Sequence, residues 1–168
     1  PGARWIAARV LRDSGSGTLS EIHEAMQWLL DPDGDPETDD APDIANNSWG
    51  FQDRPGECYL EFAEDLDLLR EAGIVVVFSA GNAGPASGSS VSPGDNPGAF
   101  PVGGVTDAGD VMTSSSRGPS ACGGGTFPAL VAPGAAVRTA DLTFGGVVPD
   151  SYASVSGTSF AAPHVAGA

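Results

Sequence analysis

The sequence predicts an α/β fold, a mostly parallel sheet flanked by helices, and three observations carry that expectation. Ile74-Val75-Val76-Val77-Phe78 is a continuous apolar, β-branched run, the pattern of a strand buried on both faces of a parallel sheet. Before it lie a helical pattern and an earlier strand pattern, so strand, helix and strand follow one another as in a βαβ unit. The 168 residues suit one domain able to bury a real core, and no internal repeat or linker divides them.

Taken in order, Trp5 to Leu11 reads as a strand, ended by Asp13-Ser14-Gly15-Ser16-Gly17. Thr18 or Ser20 can cap the next segment. There Ile22, Met26, Leu29 and Leu30 recur at helical spacing, which predicts a helix from about 19 to 30, with His23 as a partly exposed helix residue. Residues 31–43 hold seven acids. An EF-hand would need Gly and Glu where this stretch has Pro36 and Pro42, so it reads as a solvated surface loop, with a loose calcium site as the alternative. Ile44 to Trp49 is the next strand, stopped by Gly50. Phe62, Leu66 and Leu69 place a helix at about 59 to 72, and Gly73 closes it at the C′ position. Ala99 to Val105 and Leu130 to Ala132 are further strands, and Val137–Ala140 with Phe144–Val148 could form a surface ribbon. Ligands of an open parallel sheet bind at the carboxyl ends of its strands, which here are Ser48-Trp49-Gly50 and Ser79 to Asn82.

Composition excludes several functions. The net charge of −15 opposes nucleic acid or an anionic membrane surface as partner. All seven basic residues are Arg, which excludes Schiff-base chemistry through lysine. The longest apolar run is far too short to span a bilayer. No glycine-rich phosphate loop follows a strand at nucleotide-binding spacing, which removes a nucleotide-binding α/β domain.

The most informative stretch is Gly157-Thr158-Ser159-Phe160-Ala161-Ala162-Pro163-His164-Val165-Ala166-Gly167. Ser159 stands at a loop-to-helix junction, beside free backbone N–H groups and the positive end of a helix. An N-cap serine occupies the same kind of place, and so does a nucleophile that needs donors for developing negative charge. The full string closely resembles the nucleophile segment of the subtilisin-like serine proteases, the subtilases. Ser79-Ala80-Gly81-Asn82-Ala83-Gly84-Pro85 resembles that family's oxyanion-hole loop, and Asn47-Ser48-Trp49-Gly50 its substrate-binding strand. Ser115 to Pro119 and Val131 to Gly134 resemble two further segments in the right order, and Ser92-Pro93-Gly94 falls where the family often has a cis proline.

The resemblance implies a serine endopeptidase acting on proteins or peptides, with Ser159 as nucleophile and Asn82 as side-chain donor to the oxyanion. Ser48, Trp49 and Gly50 would pair with the substrate backbone as an added strand. Ser79, Ala80 and Gly81 would wall the pocket for the side chain before the cut, with room for a sizeable group. It also implies secretion, and with it a disulfide between Cys58 and Cys122. No cofactor is required, and a structural calcium ion remains compatible.

Nothing in the sequence matches the family's Asp and His segments. His164 lies five residues beyond Ser159 on the same helix and should point elsewhere. Residues 1–168 therefore resemble the C-terminal portion of one catalytic domain, cut at both ends, inactive by itself and prone to self-association through strands left without neighbours. A non-catalytic peptide-binding relative is the alternative reading.

Overall fold

The computed structural model describes residues 2–141 and 151–168. Its centre is a four-stranded, fully parallel sheet of β1 (Ile44–Asn47), β2 (Val75–Ser79), β3 (Ala99–Val105) and β4 (Leu130–Pro133), adjacent in that order. Ala45 lies opposite Val76, Val77 opposite Phe100, and Val102 opposite Leu130.

Side chains alternate across a strand, so β2 feeds two cores at once. Val76 and Phe78 point to one face, where they pack with Ile22 and Met26 of helix α1 (Leu19–Trp28) and with Phe62, Leu66 and Leu69 in and beside helix α2 (Ala63–Glu71). Val77 points to the other face and joins Val102, Ala132, Ala161 and Ala162, the last two from helix α3 (Thr158–Ala166). Alanines on α3 let its backbone approach the sheet closely. Strand β5 (Val137–Ala140) pairs antiparallel with β6 (Tyr152–Val155) in a separate ribbon. The expected partner segment Phe144–Val148 lies outside the described residues.

Local signals fix the helix ends. Thr18 and Glu21 form a reciprocal capping box at the start of α1. The Thr18 backbone N–H, followed by Arg12, holds the Glu21 carboxyl down at about 2. Gly73 ends α2 at φ +87°, where its own N–H and that of Ile74 satisfy the carbonyls of Arg70 and Leu69.

One expected element is not a strand. Residues 5–11 run without ladder partners among the described residues, and Trp5 is 86% exposed. Alternating apolar residues favour an extended chain, but a strand exists only through a neighbour that takes its N–H and C=O groups. Among the described residues β1 pairs with β2 alone, so its other edge has no partner there.

Candidate active site

The carboxyl ends of β1 and β2 and the start of α3 converge. Ser48 follows β1, Ala80 to Asn82 follow β2, and Ser159 is the second residue of α3. Two hydrogen bonds join Ser48 to Ser159: the Ser48 hydroxyl donates to the Ser159 carbonyl at 2.8 Å, and the Ser159 hydroxyl donates to the Ser48 carbonyl at 3.2 Å. Pro163 explains the first. The Ser159 carbonyl would normally receive the N–H four residues on, and proline has none, so Ser48 supplies the donor instead.

Asn82 is positioned by the residue before Ser159. Its Oδ1 accepts the Thr158 N–H at 2.9 Å and faces the Thr158 hydroxyl at 3.2 Å. A backbone N–H can only donate, so the carboxamide must turn its oxygen inward. Its Nδ2 then has no hydrogen-bond partner among the described residues and remains a donor at the exposed surface. Thr158, wholly buried, also accepts the Gly81 N–H at 3.2 Å. Sequence reasoning missed Thr158, although a hydroxyl residue at the first turn of a helix is a recognisable signal. Glycine is required at two points here, Gly81 at φ +101° and Gly157 at φ +156°. The Ser159 N–H lies in the first helical turn, where no intrahelical acceptor exists. The site thus offers a hydroxyl and two outward donors.

Ser48, Trp49 and Gly50 line one side of a cleft of about 590 Å³ whose surface also includes Asn82 and Ser159. Trp49 turns its indole inward, edge-on to Phe62 and Phe78, so this stretch offers its backbone to the cleft. Leu11, Gly15 to Gly17, Leu19 and Ile22 line the cleft too, and Gln52 stands at its margin. Sequence reasoning took Asp13 to Gly17 as a strand terminator only; its place beside Ser159 arises from the docking of α1. Ser79, Ala80 and Gly81 do not line this cleft. Ser79 is 2% exposed, Ala80 fully buried, and Gly81 is also buried.

Neither histidine reaches Ser159. His164 is exposed, with Nδ1 2.7 Å from the Phe160 carbonyl of its own helix. His23 has Nδ1 2.7 Å from Asp65 Oδ2 and Nε2 3.4 Å from Glu61 Oε1, and it lies against the Phe62 ring. Cys58 and Cys122 are joined in a disulfide. In the acidic loop, oxygens of Asp31, Asp33 and Asp40 lie within 4.8 Å of one another. Asp33 and Asp40 accept hydrogen bonds from within the loop, whereas Asp31 Oδ1 is buried without a partner among the described residues. Such an oxygen set suits a hard cation such as calcium.

A serine at a helix start, set beside the carboxyl ends of two parallel strands, is the arrangement this α/β sheet presents at its cleft. The sequence matches the Subtilase family profile, Peptidase_S8, over residues 1–168, and the chain belongs to that family. Bacillopeptidase F of Bacillus subtilis (strain 168) is 35% identical over 174 residues, which cover 98% of this chain and 11% of that protein. Subtilisin Savinase of Lederbergia lenta is 34% identical over 168 residues, covering 100% of this chain and 52% of the relative. Among solved structures, Sphericase superposes with a TM-score of 0.73 at 27% identity, and the S41 Psychrophilic Protease with 0.71 at 30%; each alignment covers 94% of this chain and 50% of the other. The chain therefore spans about half or less of these relatives.

Proposed function

We propose that the whole protein is a secreted serine endopeptidase that cleaves peptide bonds in proteins, with Ser159 as nucleophile. The observation that carries this reading is the orientation of Asn82: Thr158 takes its oxygen, which leaves Nδ2 and the Ser159 N–H as the two donors beside the Ser159 hydroxyl. In the proposed reaction Ser159 Oγ bonds to the substrate carbonyl carbon as its proton passes to a base, and the C=O π electrons move onto the oxygen those donors stabilise. Collapse of this adduct breaks the C–N bond, the amine leaves with that proton, and water then releases the acyl group from Ser159. The backbone of Ser48 to Gly50 would align the peptide as an added strand.

The hydroxyl proton needs a base, and both histidines of the sequence are engaged elsewhere. A neutral carbonyl, the present partner of Ser159 Oγ, accepts a hydrogen bond but not the proton. Residues 1–168 by themselves should therefore be nearly inert, with any residual rate due to binding and the oxyanion donors. The proposed reaction needs no cofactor; a calcium ion at Asp31, Asp33 and Asp40 would be structural, and a fall in Tm with EGTA would reveal it.

The test is a fluorophosphonate probe with a casein assay on full-length protein. Labelling at Ser159 and casein cleavage, both lost in S159A, are the expected result. Peptide binding without labelling would establish the non-catalytic alternative. Strong labelling of the isolated 168 residues would show that a base is present within them.

A further inference from the structure

We propose that Gln52 is a positioning residue for this reaction: its side chain holds the backbone of Asn82 and so fixes where the Asn82 carboxamide stands beside Ser159. This rests on the protease reading above, in which Asn82 Nδ2 donates to the developing oxyanion. The segment after β2 is held through its successive N–H groups. Ala80 donates to the Val102 carbonyl at 2.9 Å, Gly81 to the Thr158 hydroxyl at 3.2 Å, Ala83 to the Ser116 hydroxyl at 3.1 Å and Gly84 to the Ser114 carbonyl at 2.9 Å. The Asn82 N–H is held differently, by Gln52 Oε1 at 3.3 Å, an exposed side chain from the segment that follows β1. Both residues line the cleft that includes Ser159, so the contact joins two separate strand ends at the reacting centre.

The chain that carries Gln52 is itself fixed. Its N–H donates to the Gly50 carbonyl at 3.0 Å, and the Phe51 and Arg54 N–H groups donate to the Ser92 and Phe51 carbonyls at 2.9 and 3.1 Å. Ser92 and Ser90 in turn donate their hydroxyls to the two oxygens of buried Asp95, at 2.6 and 2.7 Å. A backbone N–H can only donate, so the Gln52 carboxamide must present its oxygen to Asn82. Asn82 is then held at two points, its Oδ1 by the Thr158 N–H and its own N–H by Gln52. With the first alone, the carboxamide can pivot about Thr158 and carry Nδ2 off the line to the oxyanion, and a hydrogen bond weakens steeply as its angle closes. Removing one exposed neutral hydrogen bond of this kind should cost roughly 3–10-fold in rate. That is well short of losing Asn82 itself, because Nδ2 stays in reach.

The test is Q52M in full-length protein, with kcat and KM measured on a chromogenic peptide in the parent and in N82A. Methionine keeps the length of glutamine and lacks the acceptor. The expected result is a kcat lowered roughly 3–10-fold with KM within about twofold. In N82A the same substitution should change kcat by less than about twofold, because the donor to be positioned is already gone. An unchanged kcat, or a rise in KM alone, overturns the proposal and leaves the protease reading intact. An equal loss in the N82A background overturns it too, since the effect would then not pass through Asn82. If the parent neither cleaves peptide nor takes fluorophosphonate at Ser159, the protease reading fails and the role of Gln52 fails with it.

Discussion

Pro163 sets how Ser159 is held. By withholding an N–H from the Ser159 carbonyl it creates a vacancy in α3 that the Ser48 hydroxyl fills at 2.8 Å, tying the helix start to the end of β1. Ser48→Ala should leave that carbonyl unsatisfied at a cost of about 1–3 kcal/mol, read as a lower denaturation midpoint, and Ser48→Thr should restore most of it. Thr158 acts on Asn82, the proposed oxyanion donor, in the same indirect way. Thr158→Val keeps its N–H to Asn82 but strands the buried Gly81 N–H, so a comparable loss is expected. In the full-length protein, Asn82→Ala should lower kcat by roughly 10²–10³, a magnitude that comes from a subtilisin and not from this geometry. Burst kinetics with an ester substrate would check it.

Helices α1 and α2 are joined by one polar contact as well as by their apolar faces. His23 lies between Asp65 and Glu61 and over Phe62. Burial lowers its pKa, but the hydrogen bonds to Asp65 and Glu61 outweigh it, and the net shift is upward from 6.5. Stabilisation from a raised pKa is complete below the unfolded value, about 6.5, and fades as pH rises through the folded one. Thermal melts should therefore lose stability above about pH 6.5 relative to His23→Asn, which has no such titration. His23→Ala should cost about 1.5–3 kcal/mol at pH 6, because Asp65 remains buried without its partner. A His23→Asn melt with the same pH slope as the parent would show that another group titrates. Since α1 carries Leu19 and Ile22 into the cleft, loosening it should also weaken peptide binding.

At the scale of the molecule, the disulfide and the open edge of β1 act in opposite directions. Cys58 and Cys122 are 64 residues apart and bridge the segment after Gly50 to the loop beyond Pro119, on either side of the Asp95 cluster. Reduction should lower stability by about 2–4 kcal/mol, seen as a denaturation midpoint shifted by reductant and unshifted in a Cys58→Ser/Cys122→Ser variant. Among the described residues no strand lies beside the outer edge of β1, and Trp5 and Ile6 are exposed in the segment before α1, which has no ladder partner there. Open edges of this kind template further pairing. The isolated 168 residues are therefore expected to associate as concentration rises in light scattering. A concentration-independent monomer with hydrogen-exchange protection at 44–47 would show that the edge closes within the chain.

The sequence by itself determined the parts that depend on local patterning. A β-branched run made β2, apolar spacing made α1 and α2, Gly73 ended α2, and the strings around Ser159 and Asn82 carried the family. Tertiary structure decided whatever needs a partner distant along the chain. Residues 5–11 carry a strand's pattern yet form none, because pairing belongs to two segments and no described segment, β1 included, offers them a ladder. The string around Asn82 marks that side chain, but its N–H is held by Gln52, 30 residues earlier in the chain. The geometry of a site is a property of every segment that meets there, and only the folded chain brings those segments together.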